Sequence, residues 1–209
     1  MPTRKEHWEK IYQHKEFAQT SWYQEMPTTS IEFLESAKLP RSAKIIDVGG
    51  GESQFVNYLL AEGYQDITVL DISQNAIDKK QQELGEAAHQ IRWIVSDIID
   101  FRPDKQYDFW HDRATFHFLT ADTEVEKHIK TMREFIVPEG ILVIGVFSEN
   151  GPTKCSGLEI KQYSEHSLSE RISRFFHKIR CITTDHLTPF DTIQNFVFCS
   201  FRRLPTSAY

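Results

Sequence analysis

Cysteine is scarce in this chain: there are three, Cys155, Cys181 and Cys199, odd in number and set far apart. No CxxC pair occurs, so neither a zinc knuckle nor a disulfide framework is expected. Cys181 and Cys199 read as small buried apolar residues, and no metal site is expected. No apolar run approaches the length of a membrane span. The opening residues MPTRKEHWEK are polar and lack the apolar stretch of a secretory signal, which makes a cytoplasmic location the expectation. There is no basic excess either. Lys and Arg number 24 against 30 Asp and Glu, a formal charge of −6, which argues against nucleic acid or an anionic membrane as the main partner. Repeats and linker-like composition shifts are missing, and 209 residues suit one sizeable core, so a single domain is expected.

What is present is a rhythm. Apolar strand-like runs at 44–48, 66–72, 91–98, 107–112 and 141–147 alternate with amphipathic segments, such as 123–135 with Val125, Ile129 and Met132 at helical spacing. Ser73 is placed to cap a helix running to about Leu84. Pro138-Glu139-Gly140 reads as a turn. Such alternation implies an α/β fold with a parallel sheet and helices on both faces. The tail departs from it: 175–187 and 192–203 are β-rich runs joined by a short turn, so the sheet ends in an antiparallel hairpin strand. The expected fold is a three-layer sandwich around a mostly parallel seven-stranded sheet. Residues 1–40 form an N-terminal helical cap and 41–204 the main domain.

The stretch KIIDVGGGESQF (44–55) joins the first strand to a helix through Gly49, Gly50 and Gly51. A dinucleotide fingerprint starting at Gly49 would need a small residue at its third position, where Gln54 stands, and Glu52 would repel a phosphate. The pattern D-x-G-x-G-x-S, from Asp47, Gly49, Gly51 and Ser53, suits a ligand with cationic groups instead, for which Asp47 supplies a carboxylate. Asp71 ends the second strand about twenty residues on, where an acidic side chain accepts from ribose hydroxyls. Asp97 ends the third, with Ile72 and Ile98 placed to flank a flat ring.

This layout and these motifs resemble the class I (seven-stranded, Rossmann-like) S-adenosylmethionine (SAM)-dependent methyltransferases over about 44–203. The resemblance implies SAM as co-substrate, with Asp97 accepting from the adenine amino group and the end of the fourth strand facing the methyl. There the chain reads DFWHDRATFHFLT (108–120), dense in His111, Asp112, Arg113 and His117. The segment DRATFHFLT is similar to one in thiopurine-type methyltransferases. It is also similar to one in the seven-stranded protein-lysine methyltransferases related to those acting on elongation factor 1A and citrate synthase. It departs from both, with Arg113 where the lysine enzymes keep Lys, and Ala114 and Phe116 where Gly and Leu would stand. The resemblance puts His111 beside the donor and makes His111, Asp112, Arg113 and His117 the catalytic candidates, with His111 or Asp112 able to take a proton from an amine. Trp22 and Tyr23 of the cap are placed to face the sulfonium by aromatic attraction. The loop 149–163, which contains Cys155, is expected to shape substrate choice. Two kinds of acceptor follow: a sulfur or nitrogen nucleophile of a small molecule, or a protein lysine. A SAM-binding module without catalysis is the non-enzymatic alternative. Oligomeric state is not legible.

Overall fold

Short, continuous apolar runs mark strands covered on both faces, and the chain uses them that way. In the computed structural model, which describes residues 2–205, Ile45, Ile46, Val69 and Leu70 have at most 1% of their surface exposed. Each such side chain contributes about 1.5–3 kcal/mol by leaving water. The elements are α1 (Arg4–His14), α2 (Thr28–Ser36), β1 (Lys44–Val48), α3 (Phe55–Ala61), β2 (Asp66–Asp71), α4 (Gln74–Leu84), β3 (Ile91–Val95) and β4 (Tyr107–Arg113). They continue with α5 (Asp122–Phe135), β5 (Ile136–Phe147), β6 (Lys154–Cys155), β7 (Leu158–Glu159), α6 (Glu165–Ile172), β8 (Phe176–Leu187) and β9 (Ile193–Arg203). Seven strands make one sheet in the order β3-β2-β1-β4-β5-β9-β8, and β6 with β7 makes a separate pair. The expected mixed α/β fold with its seven-stranded sheet is what forms.

The chain divides into two compact units: residues up to Phe101 with Thr188–Thr192, and Arg102–Leu187 with Ile193 onward. In the first unit β1, β2 and β3 run parallel, with Asp47 opposite Val69 and Asp71 opposite Val95. Helix α4 starts as the sequence suggested, the Ser73 hydroxyl accepting from Ala76 N–H, and stops at Gly85. Helix α1 opens with a capping box, in which the Thr3 and Glu6 side chains each accept the other's backbone N–H.

In the second unit β4 and β5 are parallel, and β9 runs antiparallel to both β5 and β8. It is the later strand of the hairpin that lies against β5, which leaves β8 at the sheet edge. Pro138-Glu139-Gly140 forms no free turn. It is a bulge inside β5, with Glu139 at φ 66°, where the register jumps from Tyr107↔Ile136 to Phe109↔Ile141. A second expectation is corrected here. Cys181 and Cys199 are not separate buried side chains: they stand directly opposite in the β8–β9 register and are joined by a disulfide. Eighteen residues separate them, and only the hairpin register makes them neighbours. No helix among the described residues is long and apolar enough to cross a membrane.

Candidate functional site

Two groups of polar side chains stand at strand ends, one in each unit. In the first unit the turn after β1 is held by Gly49 and Gly50 N–H, which both donate to Leu70 O of β2 (2.7 and 3.2 Å). This ties the glycine loop to the neighbouring strand end. A Cβ on Gly50 would lie 2.6 Å from Asp47 Oδ2, and one on Gly51 would lie 2.7 Å from Asp71 Oδ2. The glycines therefore clear space in front of two buried carboxylates, Asp47 at 2% and Asp71 at 4% exposure. Burial pushes the Asp71 carboxyl up to about 7, and the Asp47 charge adds to this against the opposing N–H of Ser73. Asp71 Oδ1 accepts that Ser73 N–H at 2.9 Å. Two residues beyond β3, Asp97 Oδ1 accepts Ile99 N–H at 3.0 Å. Ile98 is buried and Ile72 half-buried.

Glu52, in the same loop, is only 7% exposed, and burial raises its carboxyl in spite of Lys79, whose Nζ lies 3.9 Å away. Trp22 does not stand alone: it meets Trp8 and Tyr12 edge-on at ring distances of 5.8 and 6.1 Å, while Tyr23 packs on Phe17. These N-terminal aromatics thus pack against one another.

In the second unit the end of β4 turns sharply. Ala114 sits at φ 61°, and Asp112 Oδ1 accepts N–H from Thr115 (3.2 Å) and Phe116 (3.0 Å). Asp112 is fully buried, and its Oδ2 lies 3.8 Å from Nε2 of His128, equally buried on α5. The carboxylate therefore holds the turn and faces a histidine, a positioning geometry. His111 is buried at 2% exposure. Arg113 lays its guanidinium 5.1 Å over the Phe196 ring. His117 stacks on Phe147 at 4.7 Å and accepts Phe147 N–H on Nδ1 (3.3 Å), which leaves Nε2 as its N–H donor. Burial, with the Arg113 charge, drives its pKa down to about 3, so the ring is neutral.

The 149–163 loop forms the β6–β7 hairpin, turning at Ser156 (φ 50°) and Gly157 (φ 82°), with Cys155 buried and unbonded to another cysteine. Its end is tied to the β4 turn, Lys161 N–H donating to His117 O (2.8 Å) and Tyr163 N–H to Phe147 O (3.1 Å). Four residues matter that the sequence did not single out: His128, Tyr163, and on α1 Arg4, beside Asp97, and Glu9, beside Ser73. His128 had a signal, since it lies three positions after Val125 on the apolar face of α5. Tyr163, Arg4 and Glu9 had none, because their partners are remote in sequence.

Residues 45–140 match the family profile described as "Methyltransferase domain". Nodulation protein S of Rhizobium tropici is 28% identical over 103 residues, 49% of this chain and 42% of that protein. EEF1A lysine methyltransferase 2 of Homo sapiens is 26% identical over 157 residues, 67% of this chain and 66% of that protein. The match thus spans less than two thirds of either relative's own length. Among solved structures, the N-methyltransferase NodS from Bradyrhizobium japonicum WM9 in complex with S-adenosyl-L-homocysteine (SAH) superimposes with a TM-score of 0.72 at 17% identity. That superposition covers 93% of this chain and 97% of that one. The 45–140 segment thus matches a methyltransferase domain, and the chain shares the fold of that SAH-bound structure.

Proposed function

We propose that the chain transfers a methyl group from SAM to a nitrogen or sulfur nucleophile of a small molecule. The observation that carries the donor assignment is the pair of buried carboxylates, Asp47 and Asp71, kept clear by Gly50 and Gly51. A ligand with an ammonium and vicinal hydroxyls satisfies both. In this reading Asp71 accepts from the ribose hydroxyls and Asp97 from the adenine amino group. Ile72 and Ile98 flank the ring, Asp47 serves the methionine ammonium with the loop of Gly49, Gly50 and Gly51, and residues 1–40 with Trp22 act as the cap. SAM supplies an electrophilic methyl on a good leaving group, so the protein's main task is to hold a desolvated nucleophile in line.

His111, Arg113 and His117 are assigned to the acceptor and its surroundings. With a pKa near 3, His117 is a hydrogen-bond donor rather than a base at neutral pH. Asp112, committed to the turn and to His128, positions this segment, which leaves His111 to take a proton from an amine. The cytoplasmic location belongs to the same proposal.

A second reading has one observation in its favour: the human lysine methyltransferase aligns over 67% of this chain. Incubation with methyl-labelled SAM, a panel of thiols and amines, and cell lysate separates the two. Label in small products supports the proposal, label in protein bands supports lysine transfer, and no SAH binding by calorimetry overturns both.

A further inference from the structure

Helix α1 touches the first-unit site at two points. Its Glu9 carboxylate accepts from the Ser73 hydroxyl (2.7 Å), from the N–H of Gln74 (2.8 Å) and Asn75 (3.1 Å), and from the Asn75 side-chain amide (2.8 Å). Those groups open α4 directly after Asp71 and Ile72. Glu9 thus caps a helix start from another element, with the helix dipole in its favour. Burial alone would raise its carboxyl, but these donors outweigh it and hold the group below its ordinary value.

Five residues earlier, Arg4 Nη1 lies 3.2 Å from both oxygens of Asp97. One nitrogen equidistant from the two oxygens closes the approach between them, and Ile99 N–H already uses a further lone pair of Oδ1. α1 therefore spans from the strand end of Asp71 to that of Asp97.

We propose that the Arg4–Asp97 pair is a latch on the cofactor site: Arg4 and the adenine amino group compete for one carboxylate, while Glu9 is the fixed anchor about which α1 yields. The inference rests on the assignment of Asp97 to adenine made above. The two anchors differ in strength in the way a latch requires. Glu9 has four hydrogen bonds at a helix terminus. The Arg4–Asp97 pair has side chains 27% and 22% exposed, a setting in which ion pairs are weak and screened by salt. Arg4 is thus an access-controlling residue, distinct from those that hold the ligand.

The test is calorimetric titration of the full chain with SAH, comparing wild type with Arg4→Ala and Arg4→Gln at about 0.05 M and about 0.5 M salt. Removing the competitor is expected to tighten SAH binding roughly 2- to 5-fold at low salt, the worth of a part-exposed ion pair. The gap is expected to close at high salt, where the wild-type latch is screened. Arg4→Lys, which keeps the charge, should stay near wild type, and melting curves check that each variant is folded. Equal or weaker SAH binding by both Arg4→Ala and Arg4→Gln overturns the latch while leaving the methyltransferase reading intact. A gain that ignores salt overturns it too. Absence of SAH binding by wild type and variants alike removes the underlying assignment and the latch with it.

Discussion

Burial and the nearby Asp47 charge push the Asp71 carboxyl up to about 7, so close to neutrality it is only part ionised. The unfolded chain ionises this group near pH 4 and the folded chain near 7, so the folded state binds more protons between those values. Asp71 therefore weakens the fold as pH rises from about 4 to about 7. In the proposed role of Asp71, ribose hydroxyls need the ionised acceptor, which makes ligand binding oppose that trend. SAH affinity is expected to rise roughly 5- to 10-fold from about pH 6 to about pH 8. Asp71→Asn should bind far more weakly and without that dependence, as calorimetry across the same range will show. His117 has the opposite sign. Its folded pKa of about 3 lies below the ordinary histidine value, so the unfolded chain takes up the proton first and stability falls as pH drops below about 6.5. Denaturant titrations at about pH 7 and about pH 5 should show a loss on the order of 2 kcal/mol from this residue, absent in His117→Gln. That Asp71 ends a strand and His117 lies just beyond one was legible in the sequence. Their protonation was not, because it depends on which neighbours exclude water.

At the scale of elements, β1 to β4 and helices α4 and α5 lie where apolar runs and Ser73 placed them, since local pattern and burial agree there. The hairpin is the instructive departure. β8 and β9 were both visible, but which of them pairs with β5 depends on long-range packing, and the Cys181–Cys199 bond depends on a register no local signal fixes. Closing a loop with a separation of 18 residues stabilises the fold by about 3 kcal/mol in the chain-entropy account. Treatment with a reductant, or Cys181→Ser with Cys199→Ser, should lower the denaturation midpoint accordingly. A thiol count on protein purified from a reducing cytoplasm gives one reactive thiol equivalent, that of Cys155, if the Cys181–Cys199 bond persists there, and three if it does not. The bulge at Pro138-Glu139-Gly140 makes the same point: the residues have turn chemistry, but the chain bulges within β5 instead of turning, and the strand resumes in line beyond it.

For the molecule as a whole, ligand linkage gives a direct readout. SAH at a hundred times its dissociation constant adds about 2.7 kcal/mol to the folded state, which for a chain of this size raises the melting temperature by about 5–10 °C. Asp71→Ala should abolish the shift, and NAD(H) should produce none.

The sequence by itself determined the α/β alternation, the glycine turn with its three carboxylate stations, and with them the donor class. These follow from short-range rules: periodicity, turn chemistry and charge at strand ends. Tertiary structure alone decided which oxygens of Asp112 hold a turn and which face His128, that Cys181 meets Cys199, and that Arg4 and Glu9 reach across more than sixty residues to Asp97 and to the start of α4. Such contacts are fixed by how elements pack and by which polar groups are left needing a partner once water is excluded, and sequence spacing carries no record of that.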